Sequence, residues 1–224
     1  MLKKILLCFF LYFNCLLPVF TQNINFIEST FSSAFSAVPE IYTYHEKSGA
    51  LCFYQYKDYS YKIIDNENGP LWFVTYSSPQ NQKASETDPR PPVHEGDTGH
   101  FCMEELLKFI NIFSDKSCNI IYSGMKIIEN SEYSVFDVSY CYIDENGKNW
   151  PMKGELFLDL SSGIPVKLTV EQTKFPEDLY SLNASAIFAF DSYGNCRFLE
   201  YRESYTGQYS IFIYRFESVR SFEY

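Results

Sequence analysis

The sequence predicts an α+β fold dominated by one large antiparallel sheet, and residues 134–171 predict it most directly. Run 134–144 carries Phe136, Val138, Tyr140 and Tyr142 at even positions, run 153–160 carries Leu156, Leu158 and Leu160, and run 164–171 carries Ile164, Val166, Leu168 and Val170. Lys153, Glu155, Asp159, Lys167, Thr169 and Glu171 hold the odd positions. Side chains alternate faces along a strand, so these runs form a meander with one apolar and one polar face. Asn146-Gly147 and Ser161-Ser162-Gly163 supply the turns between them.

The remaining elements follow in order. Lys3-Lys4, an apolar run over 5–20 and a polar switch at Thr21 read as a secretory signal peptide over 1–22. The apolar run is short for a membrane span, although an uncleaved anchor is the alternative. Residues 23–224 then form a single secreted, extracytoplasmic domain. Ile27, Phe31, Ala34, Phe35 and Val38 lie on one helical stripe that ends at Pro39. Strand signals occupy 41–44, 51–56, 59–64 and 71–76, with a polar turn over 65–70. Residues 77–100 contain four prolines and no periodicity, the pattern of a long mobile loop that folding does not need. A helix is predicted over 101–113, with Met103, Leu106, Leu107, Ile110 and Phe113 on one face. A strand over 119–129 carries a break at Gly124. After the meander come a polar crossing over 172–185, a hairpin from 186–190 and 196–201, and a last strand over 209–216. Nine or ten strands with one or two helices define the class.

Acidic residues outnumber basic ones 28 to 18, a formal charge of −10 that becomes −12 once Lys3 and Lys4 leave with the signal. Such a field repels nucleic acid and anionic membranes. Of seven cysteines, Cys52, Cys102, Cys118, Cys141 and Cys196 remain after cleavage, an odd number in an oxidising compartment. Cys102 and Cys118 flank the predicted helix and are the expected disulfide. Asn183-Ala184-Ser185 is a glycosylation sequon, so Asn183 is expected to face solvent.

Chemistry is sparse. His94-Glu95-Gly96-Asp97-Thr98-Gly99-His100 could ligate a divalent metal, but it matches no catalytic signature and reads more simply as a solvated loop. Nucleophile elbows, phosphate-binding glycine loops and dinucleotide fingerprints are missing from the sequence. A cysteine nucleophile with His45 or His100 is conceivable, although cysteines here are more simply structural. Trp72 reads as core and Trp150 as a rim residue. No cofactor is predicted, and the chain reads as non-enzymatic.

Asp159-Leu160-Ser161-Ser162-Gly163-Ile164-Pro165-Val166, and the polar turn of 65–72 leading into Trp72, resemble the LolA-like superfamily of bacterial lipoprotein carriers and ependymin-related secreted proteins. That resemblance implies a curved half-barrel with one or two helices packed on its concave face. The cysteine content departs from the bacterial carriers, and the arginine they keep inside the half-barrel finds no match in the sequence reading. Three functions follow. The first is a secreted carrier holding a lipid or other apolar ligand against Phe136, Val138, Tyr140, Leu156, Leu158, Val166 and Leu168. The second is an extracellular protein-interaction module with a filled core that binds through loops or an edge strand. The third is a hydrolase using His94 and His100.

Overall fold

The computed structural model describes residues 24–50, 53–78, 94–116, 118–144, 147–174, 179–209 and 212–224. The expected signal peptide, Cys52 and residues 79–93 of the expected loop lie outside them. Eleven strands form one open antiparallel sheet: β1 (Ile41–Ala50), β2 (Phe53–Ile64), β3 (Leu71–Ser78), β4 (Thr98–His100), β5 (Asn119–Ile128), β6 (Ser131–Ile143), β7 (Asn149–Asp159), β8 (Pro165–Gln172), β9 (Leu179–Phe190), β10 (Cys196–Tyr209) and β11 (Phe212–Glu223). Their order is β4-β3-β2-β1-β11-β10-β9-β8-β7-β6-β5. Every pairing except β1 with β11 joins strands adjacent in sequence, so hairpin geometry builds nearly the whole sheet.

Two segments cover one face. Helix α1 (24–36) lays Phe31 and Phe35 on Phe188 and Phe198, with ring centroids 5.0 Å apart in both contacts. The second segment is a strap between β4 and β5. Here the structure corrects the expected 101–113 helix. Only Met103–Leu106 (α2) is α-helical, followed by 3-10 turns at Lys108–Ile110 and Ile112–Ser114, none with a side-chain cap. Of the expected stripe, Met103, Leu107 and Ile110 are buried and Leu106 and Phe113 half-buried, while Ile112 joins the buried set and the helix breaks at Leu107.

Topology explains the break. Strands β4 and β5 lie at opposite edges, which a flat sheet would hold about 48 Å apart at ~4.8 Å per strand. The strap leaves the β3–β4 side, where Phe101 N–H donates to the Pro70 carbonyl, and reaches β6, where Asp115 accepts from the Cys141 N–H at 2.7 Å. Helical turns rise only about 1.5–2 Å per residue, so the sheet has to curl around the strap for the strap to span it. Cys102 and Cys118 sit at the two ends of the strap and both are free thiols, as are Cys141 and Cys196, so the expected 102–118 bridge is absent.

Other corrections are local. The predicted strands 51–56 and 59–64 are one strand, β2. Residues 77–78 extend β3, and Thr98–His100 forms β4, seated where Gly99 lies under the Trp72 ring with no room for a Cβ. The predicted crossing 172–185 contains the first half of β9. Gly154 has a similar role within β7, because a Cβ there would collide with the Thr169 carbonyl of β8.

The β7–β8 turn is organised by one carboxylate. Asp159 Oδ1 accepts from the Ser161 N–H (3.1 Å) and hydroxyl (2.6 Å) and from the Ser162 N–H (2.8 Å) and hydroxyl (2.7 Å). These donors, led by the Ser161 hydroxyl, lower its pKa to about 2. A depressed carboxylate pKa adds stability that is complete above the unfolded value of about 4 and is lost as pH falls through the folded value. Acid titration of the folding midpoint should therefore show a component between about pH 4 and 2 that Asp159→Asn removes.

Candidate functional site

The six residues Phe136, Val138, Tyr140, Leu156, Leu158 and Leu168 were expected to line a ligand cavity, and all are buried, at 0–5% exposure. They belong to one packed cluster with Leu107, Ile110 and Ile112 of the strap. Tyr140 donates its hydroxyl to the Phe109 carbonyl of the strap. Val166 does not belong to this set: it is half-buried, because β7 and β8 slip register between Phe157 and Leu158, so that Pro165 faces Leu158. The inner face over β6–β9 is thus occupied by the chain's own side chains.

The other half of the same face carries a buried polar cluster. Register aligns Tyr59, Tyr44, Arg220 and Tyr201 across β2, β1, β11 and β10, and beside them Lys57, Glu46, Ser218 and Glu203. Arg220 lies 5.0 Å and 5.2 Å over the Tyr44 and Tyr201 rings, pairs with Glu203 at 3.4 Å and donates to the Ser218 hydroxyl at 3.1 Å. Glu46 accepts from the Tyr44 hydroxyl at 2.6 Å and the Ser48 hydroxyl at 3.0 Å, with Lys57 at 3.6 Å. Burial raises Tyr42 to about 12 and pushes Tyr44, Tyr61 and Tyr201 higher, so these phenols stay neutral at physiological pH. The cluster is an ion-paired, hydrogen-bonded part of the core. Sequence reading missed it, although period two along Phe216, Ser218, Arg220 and Phe222 places the arginine on the face of the two phenylalanines.

A groove of about 910 Å³ crosses strands β6 to β11. Its inward-facing members Val138, Val170, Ala184 and Ser218 are at most 4% exposed, so its accessible wall belongs to the opposite, open face of the sheet. That wall is polar. Ser139, Thr169, Asn183, Ser185 and Ser204 form a low floor between longer charged side chains. Lys153 pairs with Glu171 at 3.0 Å, Lys126 with Glu155 at 2.6 Å, and Arg202 with Glu200 at 2.6 Å. Such exposed pairs contribute little stability. Asn183 faces solvent, as the sequon requires.

Among the described residues the catalytic alternatives are not brought together. His94 and His100 are both exposed, and the His94 N–H donates to Asp97 Oδ2 at 2.7 Å, which makes the segment a self-closed turn. His45 pairs with Asp58 at 2.7 Å on the open face. Burial pushes the Cys118 and Cys196 thiols up to about 12, which leaves little thiolate for nucleophilic attack. Among the described residues no group of three His, Cys, Asp or Glu could hold a metal ion, and no helix is long and apolar enough to cross a membrane. Trp72 packs edge-on to Tyr61 at 5.7 Å, and Trp150 is half-buried, its Nε1–H donating to Asp144 at 2.9 Å.

The most exposed apolar surface on one strand is β5, which sequence reading treated as an ordinary strand. It lies at the sheet edge and pairs only with β6 among the described residues. Ile121, Tyr122, Met125, Ile127 and Ile128 are all more than 40% exposed, and Ile127 reaches 72%.

No family model and no curated protein matches the chain. Two solved structures match the chain at low similarity. One is a DUF1329 family protein from Desulfovibrio piger, at 6% identity and a TM-score of 0.39 over 90% of each chain. The other is the Pseudomonas aeruginosa MucA/MucB complex, at 9% identity and a TM-score of 0.22 over 86% of this chain and 92% of that one. Likenesses this distant carry no argument about ligand or activity.

Proposed function

We propose that this chain is a secreted, non-enzymatic interaction module whose core is filled by its own strap and whose partner adds to the sheet from outside. The observation that carries the reading is the sealing of Phe136, Val138, Tyr140, Leu156, Leu158 and Leu168 against Leu107, Ile110 and Ile112. A carrier would need the strap to leave the inner face, which would expose the strap's apolar side chains together with those of the sheet. Among the described residues the outer edge of β5 pairs with no further strand and carries apolar side chains, the two components of strand addition. The leader-like N-terminus and the acidic balance fit an extracellular setting.

Uptake of a fluorescent fatty acid by the delipidated protein tests this reading. The expected result is no saturable binding. Saturable one-to-one uptake that Leu168→Phe blocks would establish the carrier in its place.

A further inference from the structure

We propose that the partner at β5 is a second copy of this chain, joined edge to edge by antiparallel β5–β5 pairing about a two-fold axis between Ser123 and Gly124. This rests on the interaction-module reading and names its partner.

The pattern of faces along β5 selects the arrangement. Before the bulge, Ile120 and Tyr122 oppose the inward residues Val138 and Phe136, and the Tyr122 and Phe136 rings meet edge to face at 5.4 Å. The register then shifts between Tyr122 and Gly124, with Gly124 at a φ of +136°. Beyond it Met125 and Ile127 face inward, opposite Ser134 and Glu132, while Lys126 faces outward onto Phe157 and Glu155. The bulge therefore makes the strand symmetric about its own centre. A two-fold axis perpendicular to the sheet between Ser123 and Gly124 sets inward residues against inward ones. Ile120 then opposes the partner copy's Ile127 and Tyr122 its Met125, each pair occurring twice. Without the bulge this register would set inward residues against outward ones.

The alternatives within a homotypic assembly fit worse. Strand β4, at the other edge, is three residues long and bears the exposed polar side chains of Thr98 and His100, so a β5–β4 contact would pair little backbone. Charge favours self-pairing at this edge as well. The chain carries −10 overall, yet Lys126 is the only charged residue in β5, so the pairing strands bring no acidic side chain to the seam. A single edge strand buries less than a standard interface, which puts the dimer in the weak, reversible class.

Sedimentation velocity of the full secreted chain over about 1–100 µM, together with hydrogen exchange at both ends of that range, tests the pairing. The expected result is reversible dimerisation, with concentration-dependent protection confined to amides 119–128. Ile127→Lys should weaken association by about tenfold or more without moving the melting temperature. Should that variant fail to fold, the exchange pattern of the wild type decides alone. A wild-type chain that stays monomeric, or a dimer protected elsewhere, overturns the proposal. Fatty-acid uptake tests the underlying module reading separately, so a monomer without uptake removes only the pairing.

Discussion

Leu168→Ala should lower the free energy of unfolding by about 3–5 kcal/mol, and Leu158→Ala by nearly as much, while Val166→Ala costs only about 1 kcal/mol. Leu168 is fully buried in the centre of β8, level with Leu156 of β7 and Ala186 of β9, within the cluster that holds Leu107 and Ile110 of the strap. Truncation leaves a void that two neighbouring strands, fixed by their ladders, cannot close. Leu158 is 3% exposed but sits at the register slip, where the backbone has room to relax. Val166 is half in solvent and loses little. Urea titration with an unchanged slope would read these as stability differences alone. The same series separates the two binding readings. A cavity lined by Leu158 and Leu168 would tolerate both truncations and change its ligand uptake, whereas a filled core loses stability and shows no uptake to change.

The physics behind this contrast also marks how far the sequence could be read. Strands β6, β7 and β8 were legible because inward apolar residues such as Val138, Leu156 and Leu168 are flanked by polar ones, Asp137 and Ser139, Glu155, and Lys167 and Thr169. Strand β2 was split in two because Lys57-Asp58 interrupts its apolar run. In the fold Lys57 turns inward to Glu46 and Asp58 outward to His45, so period two survives with charges on both faces. The first half of β9 was hidden by Leu182-Asn183-Ala184-Ser185, where small side chains give the alternation little hydrophobic contrast. The strap's stripe was legible but its helix was not. A stripe records which side chains are buried, whereas helix length depended here on a span set by strands at the far edge. Edge status is a property of topology, so the exposed β5 could not be recognised from its own residues. The Arg220 cluster hid for a different reason, since charged residues were assigned outward by default.

That cluster yields the second large effect. Arg220→Ala should destabilise the fold by about 3–5 kcal/mol, because it leaves Glu203 in a site only 12% open to solvent with its ion-pair partner gone. It also removes the cation from the faces of Tyr44 and Tyr201 and a hydrogen-bond donor from Ser218. Glu203→Gln should cost less, since the amide oxygen still accepts from Arg220 while the amide NH2 faces the Tyr201 hydroxyl, which donates to the other carboxylate oxygen at 2.9 Å in the wild type and turns to accept in the variant. The informative variant is the double change Arg220→Met with Glu203→Leu. Taking two charges out of water costs several kcal/mol per ion, and Arg220 Nε is buried without a hydrogen-bond partner, so the pair recovers that cost only in part. Apolar replacements of similar volume should therefore return stability to within about 2 kcal/mol of the wild type, well above either Arg220→Ala or Arg220→Met alone. A double-mutant cycle by urea denaturation gives the coupling directly. Strong positive coupling identifies the pair as a mutually compensated core element. A double variant as unstable as Arg220→Ala would instead show that the tyrosine-lined half of the inner face depends on the guanidinium itself, through its ring contacts at 5.0 Å and 5.2 Å.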